Sequence, residues 1–297
     1  MRLASLLLSG LAVSGLVAAT TLPSSAAAFE SAAAVKSRID IAGKQRMLTQ
    51  RMTKAACMLH VEVDPTKHQK QLADAYFLFD RSLLALSRGD RDLGLVPEKS
   101  KRVVHHLEKV RKLWVPMQVA LLPAAQGKPL SDMAFDYAVE GNLALLKEMH
   151  RTVGVISRTH KTSATDFESN RAVNFAGAQR MLSQRIAKDY CLIAAGIDVE
   201  NTRIDLFASI ALFDKRQKQL IEGDKTGKVA PPTSAAKQAL LEASAAWEPL
   251  RAEALKLQGG AEPTPEGLKI VAEAADELLK RAHAAVQVIE EGVSPQG

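Results

Sequence analysis

Residues 39–52 read IDIAGKQRMLTQRM, and residues 173–186 read VNFAGAQRMLSQRI. The second segment repeats the first with few changes, and Gly43 and Gly177 are separated by 134 positions. Pairs further along the chain keep a separation of 133 or 134. A repeat that long indicates a duplicated structural unit. We therefore expect the function to reside in these two segments.

The composition indicates a helical protein. Of 297 residues, 47% are hydrophobic and 4% are aromatic, and a sheet-rich fold would use more Val, Ile, Tyr and Phe. The formal charge of +6 is spread along the chain. A diffuse charge of this size argues against nucleic acid binding and is compatible with attraction of small anions.

The N-terminus has the pattern of a secretory signal peptide over residues 1–28. An apolar run from about residue 3 to 19 precedes small residues that end at Ala28, which is typical of a cleaved leader. An uncleaved anchor is the alternative, but the run is shorter than the roughly 20 residues of a spanning helix. We expect an exported, soluble mature chain with no membrane insertion.

Apolar spacing and helix stop signals divide each repeat into four helices. In the first unit they are predicted at about 31–63, 66–88, from after Pro97 to about 122, and 130–159. Four helices of roughly 25 residues can close a four-helix bundle. The sequence thus predicts an all-α fold of two tandem four-helix bundles, at residues 29–161 and 162–297.

The polar hexapeptide at 161–166 decides how the bundles are arranged. A turn there brings the first helix of the second unit parallel to that of the first, side by side. A helical connection gives an end-to-end rod. We favour the turn because four antiparallel helices return the chain to the end where it started.

One face of the repeated helix carries the candidate chemistry. At 100° per residue, Gly43, Arg46, Gln50 and Cys57 lie within about 60° of one another, and the same face recurs in the second copy. If the two copies meet about a pseudo-two-fold axis, the arginines face each other. Two such charges 4 Å apart repel by roughly 4 kcal/mol, which favours an anion between them.

The guanidinium group donates in a planar fork that suits a small trigonal oxyanion. The alternative for Arg46 and Arg180 is an ordinary pairing with carboxylates on a helix surface. The repeated ten-residue pattern favours a binding role. Cys57 and Cys191 also share a repeat position, and they are either a disulfide across the axis or two buried thiols.

The histidines give little sign of a metal or catalytic site. His105 and His106 are adjacent and point to different helix faces, which makes a poor chelating pair. His150 and His283 recur between the copies but are interpreted as packing or capping residues. With no nucleophile or acid-base constellation visible, we expect no catalysis, no metal and no cofactor.

The two repeated segments resemble the P-box of NarX/NarQ-type nitrate sensors and the related N-terminal domain of PilJ-type chemotaxis transducers. The recurring text in those families is approximately Ile-Asn-x-Ala-Gly-x-x-Arg-Met-x-Ser-x-Arg. Their domains are periplasmic four-helix bundles that dimerise through the helix bearing this box, and in the nitrate sensors the arginine before Met from each subunit grips one nitrate. The resemblance implies that role for Arg46 and Arg180, with Gly43 and Gly177 at the positions of close approach.

The candidate ligand-binding residues are Arg46, Arg180, Gly43, Gly177, Met47, Met181, Gln50, Gln184 and Asn174. The two methionines belong to a helical series that is also typical of core packing. Asp40 stands where the family has Asn, and its carboxylate opposes an anion unless Arg38 or Lys44 pairs with it. We therefore expect an asymmetric site with the second copy as the more faithful half.

Together these patterns predict a periplasmic sensor-type protein whose two bundles form a pseudo-dimer within one chain. It would bind nitrate or nitrite and pass the signal to a membrane sensor kinase, a chemotaxis transducer or a transporter. The alternative is a helical interaction or scaffold module without a small ligand. In the first case the arginines converge; in the second they lie far apart or are neutralised by carboxylates.

Overall fold

The computed structural model describes residues 32–160, 165–224 and 229–292. These residues form eight α-helices and a short 3-10 turn at Gln258–Gly260. The helices are α1 (Ala32–His60), α2 (Pro65–Arg88), α3 (Lys101–Ala125), α4 (Asp132–Thr159), α5 (Thr165–Ala194), α6 (Val199–Glu222), α7 (Ser234–Leu255) and α8 (Pro265–Gly292). The predicted all-α class is confirmed. The predicted signal peptide and most of the 161–166 hexapeptide lie outside the described residues.

Helices α1 to α4 form the first bundle, and α5 to α8 form the second. In each, the first helix packs against the second and fourth, and the third packs between those two. A buried tryptophan lies in each core: Trp114 donates its indole N–H to Asp80 at 2.8 Å, and Trp247 donates to Asp214 at 2.7 Å. The two cores thus use the same anchor at equivalent positions.

Local sequence signals set the helix ends. Gly89 and Gly223 follow α2 and α6 with φ of 81° and 78°, a left-handed region that favours glycine. A Cβ on Gly89 would lie 2.8 Å from the backbone nitrogen of Pro97. Ser100 and Ser131 precede α3 and α4, and each hydroxyl accepts from the N–H three residues on, as N-cap residues do.

Helix α1 ends at His60, three residues before its predicted end. Glu62 and Asp64 adopt positive φ values of 57° and 40°, which an α-helix cannot accommodate. Pro65 then begins α2, where the missing N–H of proline costs no hydrogen bond. The short turn is therefore set by two left-handed residues as well as by the proline.

The two bundles lie side by side because α1 packs along α5. A disulfide joins Cys57 on α1 to Cys191 on α5, with a Cα–Cα distance of 6.1 Å. Equivalent positions of the two copies meet at this disulfide and again where Gly43 lies beside Arg180 and Gly177 beside Arg46, so the helices are parallel and related by a pseudo-two-fold axis. The tandem pseudo-dimer is confirmed, and the end-to-end rod is not formed.

Candidate functional site

The interface between α1 and α5 brings the repeated segments together. We call its polar centre the seam, and define it by Asp40, Gly43, Arg46, Asn174, Gly177 and Arg180. Both arginines are almost completely buried, with 3% and 2% of their surfaces exposed. A buried cation is costly unless its charge and its donors are satisfied. The partners of the two arginines therefore determine what the seam can hold.

Arg46 makes only neutral contacts. Its Nη2 donates to Oδ1 of Asn174 at 2.9 Å, across the seam, and its Nη1 donates to Nδ1 of His150 on α4 at 3.3 Å. Among the described residues, no carboxylate forms an ion pair with Arg46, and its buried Nε–H has no hydrogen-bond partner. Arg46 is thus a buried cation with an unused donor.

Arg180 makes the equivalent contacts with one change of charge. Its Nη1 donates to Nδ1 of His283 on α8 at 3.2 Å, and its Nη2 donates to Oδ1 of Asp40 at 2.8 Å. Asp40 has the position in the first copy that the neutral Asn174 has in the second, and its carboxylate forms an ion pair with Arg180. The Nε–H of Arg180 is also buried without a partner in the described part of the chain. The second arginine is therefore neutralised and the first is not.

The two guanidinium groups converge at the glycines. A Cβ placed on Gly43 would lie 3.7 Å from Nη2 of Arg46 and 3.9 Å from Nη2 of Arg180; on Gly177 it would lie 3.4 Å from Nη2 of Arg180 and 3.9 Å from Nη2 of Arg46. The two Nη2 atoms are therefore no more than 7.3 Å apart (3.4 plus 3.9). Both glycines therefore lie beside the two guanidinium groups, and the added Cβ would be at ordinary contact distance from them.

The protonation states fit these contacts. Burial, followed by the charges of Arg216 and Arg180, lowers the pKa of Arg46 to about 10, so the group stays charged at neutral pH. Burial and the neighbouring arginine also lower the pKa values of His150 and His283. A neutral imidazole can accept the hydrogen bond that each arginine donates. Both histidines thus act as acceptors that orient the guanidinium groups.

Sequence reasoning assigned His150 and His283 to packing or capping, whereas the structure places them on the arginines. Their recurrence at 133 positions was the available signal. The contact itself was hidden because each pair is separated by more than 100 residues along the chain. Recurrence of a polar residue in both copies is thus a better guide to the site than its chemistry taken alone.

Gln50 and Gln184 use their amide nitrogens in contacts within their own bundles. Gln50 donates to Thr49 and to Asn142 on α4, and Gln184 donates to Ser183 and to the backbone of α8. These contacts hold the first helix of each bundle against the fourth. The amide oxygens of both glutamines are buried without a partner among the described residues, and their binding role stays a prediction.

The methionines of the candidate set lie against the hydrophobic core. Met181 belongs to that core, and Met47 packs on it while partly exposed. Asp40 pairs with Lys44 at 2.7 Å, as one of the two expected partners, while Arg38 instead forms an ion pair with Glu98 at 3.4 Å. The partner that the sequence did not suggest for Asp40 is Arg180, on the other copy.

A second polar cluster connects α8 to the first bundle. Asp276 accepts from Lys54 at 2.8 Å and from Gln71 at 2.5 Å, and Nζ of Lys67 lies 3.3 Å away. Burial lowers the pKa of Lys54 to about 8, although Asp276 opposes that shift. Burial alone would raise the pKa of Asp276, but the charge of Lys54 and its neighbours holds it at about 2.

The equivalent lysine of the second copy has different partners. Lys188 pairs with Asp189 at 2.9 Å and reaches Oδ1 of Asn142, on α4 of the first bundle, at 3.3 Å. Both buried lysines therefore reach across to the other bundle. Their carboxylates come from different places: α8 for Lys54, and the neighbouring residue for Lys188.

The described residues form neither a metal cluster nor a membrane-spanning helix. Within residues 32–160, 165–224 and 229–292, no group of three His, Cys, Asp or Glu side chains is placed to hold a metal ion. None of the helices described here is long and apolar enough to cross a membrane.

The chain matches the family model of the type IV pili methyl-accepting chemotaxis transducer N-terminal domain (PilJ) twice, at residues 27–134 and 162–284. One match falls in each repeat, and the first ends near the start of α4. No curated protein matches the chain. Because the matched residues cover well over half of the sequence, the chain belongs to the PilJ family, whose domains are non-catalytic sensor domains.

Proposed function

We propose that this PilJ-family chain is a periplasmic sensor protein that binds one small oxyanion, nitrate or nitrite, in the seam between α1 and α5. The observation that carries the proposal is Arg46: a buried cation without a carboxylate partner in the described structure, with an unused Nε–H, facing a second arginine. An anion accepting from that N–H would satisfy both the charge and the donor.

Electrostatics support a negative ligand at this position. At about 7 Å, close to the largest separation of the two Nη2 atoms that the glycine distances allow, two like charges repel by roughly 2 kcal/mol at the effective dielectric constant typical of proteins. Asp40 offsets that repulsion from the Arg180 side only. An anion at Arg46 would offset it from the other side.

The glycines leave room for a small group beside the two guanidinium groups. A Cβ on Gly43 or Gly177 would be in ordinary van der Waals contact with both. This spacing is compatible with a three- or four-atom planar anion. The resemblance to the P-box of the nitrate sensors supports nitrate or nitrite within this class.

The output of such a sensor would pass through another protein. We propose a membrane sensor kinase, a chemotaxis transducer or a transporter as the partner. Export by the predicted signal peptide would place the chain on the periplasmic side of the membrane.

The second candidate function is a helical interaction module without a small ligand. The Asp40–Arg180 ion pair favours it, because an arginine already neutralised by a carboxylate needs no external anion. Under this alternative the seam is a packing interface only. The decisive difference is whether Arg46 responds to an added anion.

Titration calorimetry tests the proposal. Nitrate and nitrite should bind the purified wild-type protein, and Arg46→Ala should abolish the heat by removing the donor and the charge. Asn142→Ser, a buried polar change outside the seam, is the control for general effects on the fold. No heat with the wild-type protein, or unchanged heat with Arg46→Ala, would contradict the proposal.

A further inference from the structure

Asp40 places a fixed negative charge inside the seam. Its Oδ1 accepts from Arg180 at 2.8 Å, and its Oδ2 lies 2.7 Å from Nζ of Lys44, one turn along α1. Burial alone would raise the pKa of Asp40, but the charges of Arg180 and Lys44 outweigh it and hold the pKa below its usual value. The carboxylate is therefore ionised wherever the protein is folded at neutral pH.

The charges around the two arginines are distributed unequally. At 134 positions from Asp40, Lys44 and Ser82, the second copy has Asn174, Ala178 and Arg216. Arg216 is near enough that its charge lowers the pKa of Arg46, after the larger effect of burial. The Arg46 side thus has two cations and a neutral amide, while on the Arg180 side the two cations Arg180 and Lys44 share the Asp40 carboxylate.

We infer that Asp40 is the specificity-determining residue of the seam, and that it restricts the ligand to a single monovalent oxyanion held on the Arg46 side. This inference rests on the proposed function and deepens it. Asp40 occupies the Arg180 guanidinium as a built-in anion. The external ligand would then bind at Arg46, on the side of the seam that contains Asn174, and the positive charge of Arg216 would attract it.

The charge of the ligand follows from the charges of the seam itself. Asp40 pairs with both Arg180 and Lys44, so of the two facing guanidinium groups only that of Arg46 is without a carboxylate among the described residues, and a monovalent anion would balance that one group. A divalent anion such as sulfate would need both guanidinium groups, and it would meet the Asp40 carboxylate at the second one. Juxtaposed like charges are an effective means of rejecting the wrong ligand.

Two reciprocal substitutions test the inference. Asp40→Asn makes both copies carry Asn at this position, and Asn174→Asp places a carboxylate against Arg46 instead of an amide. Nitrate and sulfate are titrated into the purified wild-type protein and both variants, at constant ionic strength, in a buffer whose only other anion is a large organic sulfonate. Circular dichroism shows whether each variant is folded.

We expect the wild-type protein to bind nitrate and to reject sulfate. Asp40→Asn should lower the preference for nitrate over sulfate by at least about tenfold, because it frees the second guanidinium. Asn174→Asp should weaken nitrate binding by at least about tenfold, because its carboxylate competes for Arg46.

The outcomes separate this inference from the proposed function. If the wild-type protein binds nitrate and Asp40→Asn leaves the nitrate-to-sulfate preference unchanged, the inference is overturned and the proposed function stands. If neither the wild-type protein nor Asp40→Asn binds any of the anions, the proposed function itself is overturned. If Asp40→Asn does not fold, the nitrate affinity of Asn174→Asp decides. The inference is overturned if that variant binds nitrate as tightly as the wild-type protein does.

Discussion

The first and the second bundle present the same arginine, histidine and cysteine to each other but surround them with different groups. Arg46 faces Asn174, whereas Arg180 faces Asp40. A dimer of identical chains could not make this distinction, because each substitution would appear on both sides of its axis. Joining two copies in one chain thus allows one half to hold a built-in anion and the other to remain open.

The residue that differs in one copy acts on the arginine of the other copy. The Asp that departs from the family pattern lies on α1, yet it neutralises the arginine of α5. The sequence alone suggests that the second copy is the more faithful half. In the structure Asn174 of the second copy contacts Arg46 of the first, which has no carboxylate partner among the described residues, and under our proposal this would be the binding half.

The largest expected effect on stability comes from removing the disulfide between the two bundles. Cys57→Ala with Cys191→Ala opens a loop closed over 134 residues, which lowers the free energy of unfolding by about 5 kcal/mol in the chain-entropy model. Urea denaturation followed by circular dichroism measures it. The control is the wild-type protein denatured in the presence of a reductant, which breaks the same disulfide without changing the sequence. A double variant as stable as the oxidised wild type would show that the link contributes nothing.

The next effect concerns the buried lysines. Asp276→Asn leaves Lys54 buried without its carboxylate and should cost about 3 kcal/mol of unfolding free energy. Lys188 keeps Asp189 in this variant, so only the first copy loses its pairing. Replacing Lys54 by Met in the same variant should recover part of the loss. Unchanged stability in Asp276→Asn, measured by urea denaturation at pH 7, would contradict the ion-pair assignment.

A third difference concerns acid sensitivity. His68 is fully buried, and its counterpart at 134 positions is Thr202. Burial, with the nearby charge of Lys54, lowers the pKa of His68 to about 4. The unfolded chain therefore binds more protons than the folded one below pH 6.5, and stability falls as the pH drops from about 6.5 to about 4.

Replacing His68 by Thr makes the first copy resemble the second at this position. It should remove about 2 to 3 kcal/mol of the loss in unfolding free energy between pH 7 and pH 4. Urea denaturation at both pH values measures the difference, and Thr202→Ser serves as the matched control. The same pH dependence in His68→Thr and in the wild type would contradict the low pKa.

The smallest effect comes from one pair of glutamines. Gln179 donates to Gln217 and to the backbone of α6. Its counterpart in the first copy is Gln45, and the counterpart of Gln217 is Leu83, which cannot accept a hydrogen bond. Neither polar atom of the buried Gln45 therefore has a partner in the described structure. Gln45→Leu should therefore stabilise the protein by about 1 kcal/mol, and Gln179→Leu should destabilise it by a similar amount. Thermal unfolding of the two variants checks the opposite signs; a loss of stability in both would contradict the asymmetry.

Much of the fold could be read from the sequence. The spacing of 134 positions predicts two equivalent bundles, and the helix face with Gly43 and Arg46 predicts the contact between α1 and α5. A helical wheel shows only in which direction each side chain points from the axis of its own helix. It could not show that Gln50 would bond to Asn142 on α4, because that depends on where the neighbouring helix lies.

The charge arrangement of the site was harder to predict, for the same reason. Lys44 was a visible partner for Asp40 because it lies one turn away on the same helix. Arg180 was not, because the ion pair joins residues 140 positions apart and depends on the register of two helices. The disulfide was likewise left open, because its formation depends on the distance between the Cα atoms of Cys57 and Cys191, which a sequence does not contain.

The most direct test of the central claim is a crystal structure of the purified protein with nitrate. We expect planar, trigonal density in the seam that accepts from the Arg46 guanidinium, while Asp40 keeps its contact with Arg180. A seam without nitrate, or nitrate bound to Arg180 with Asp40 displaced, would contradict the claim that Arg46 provides the binding half.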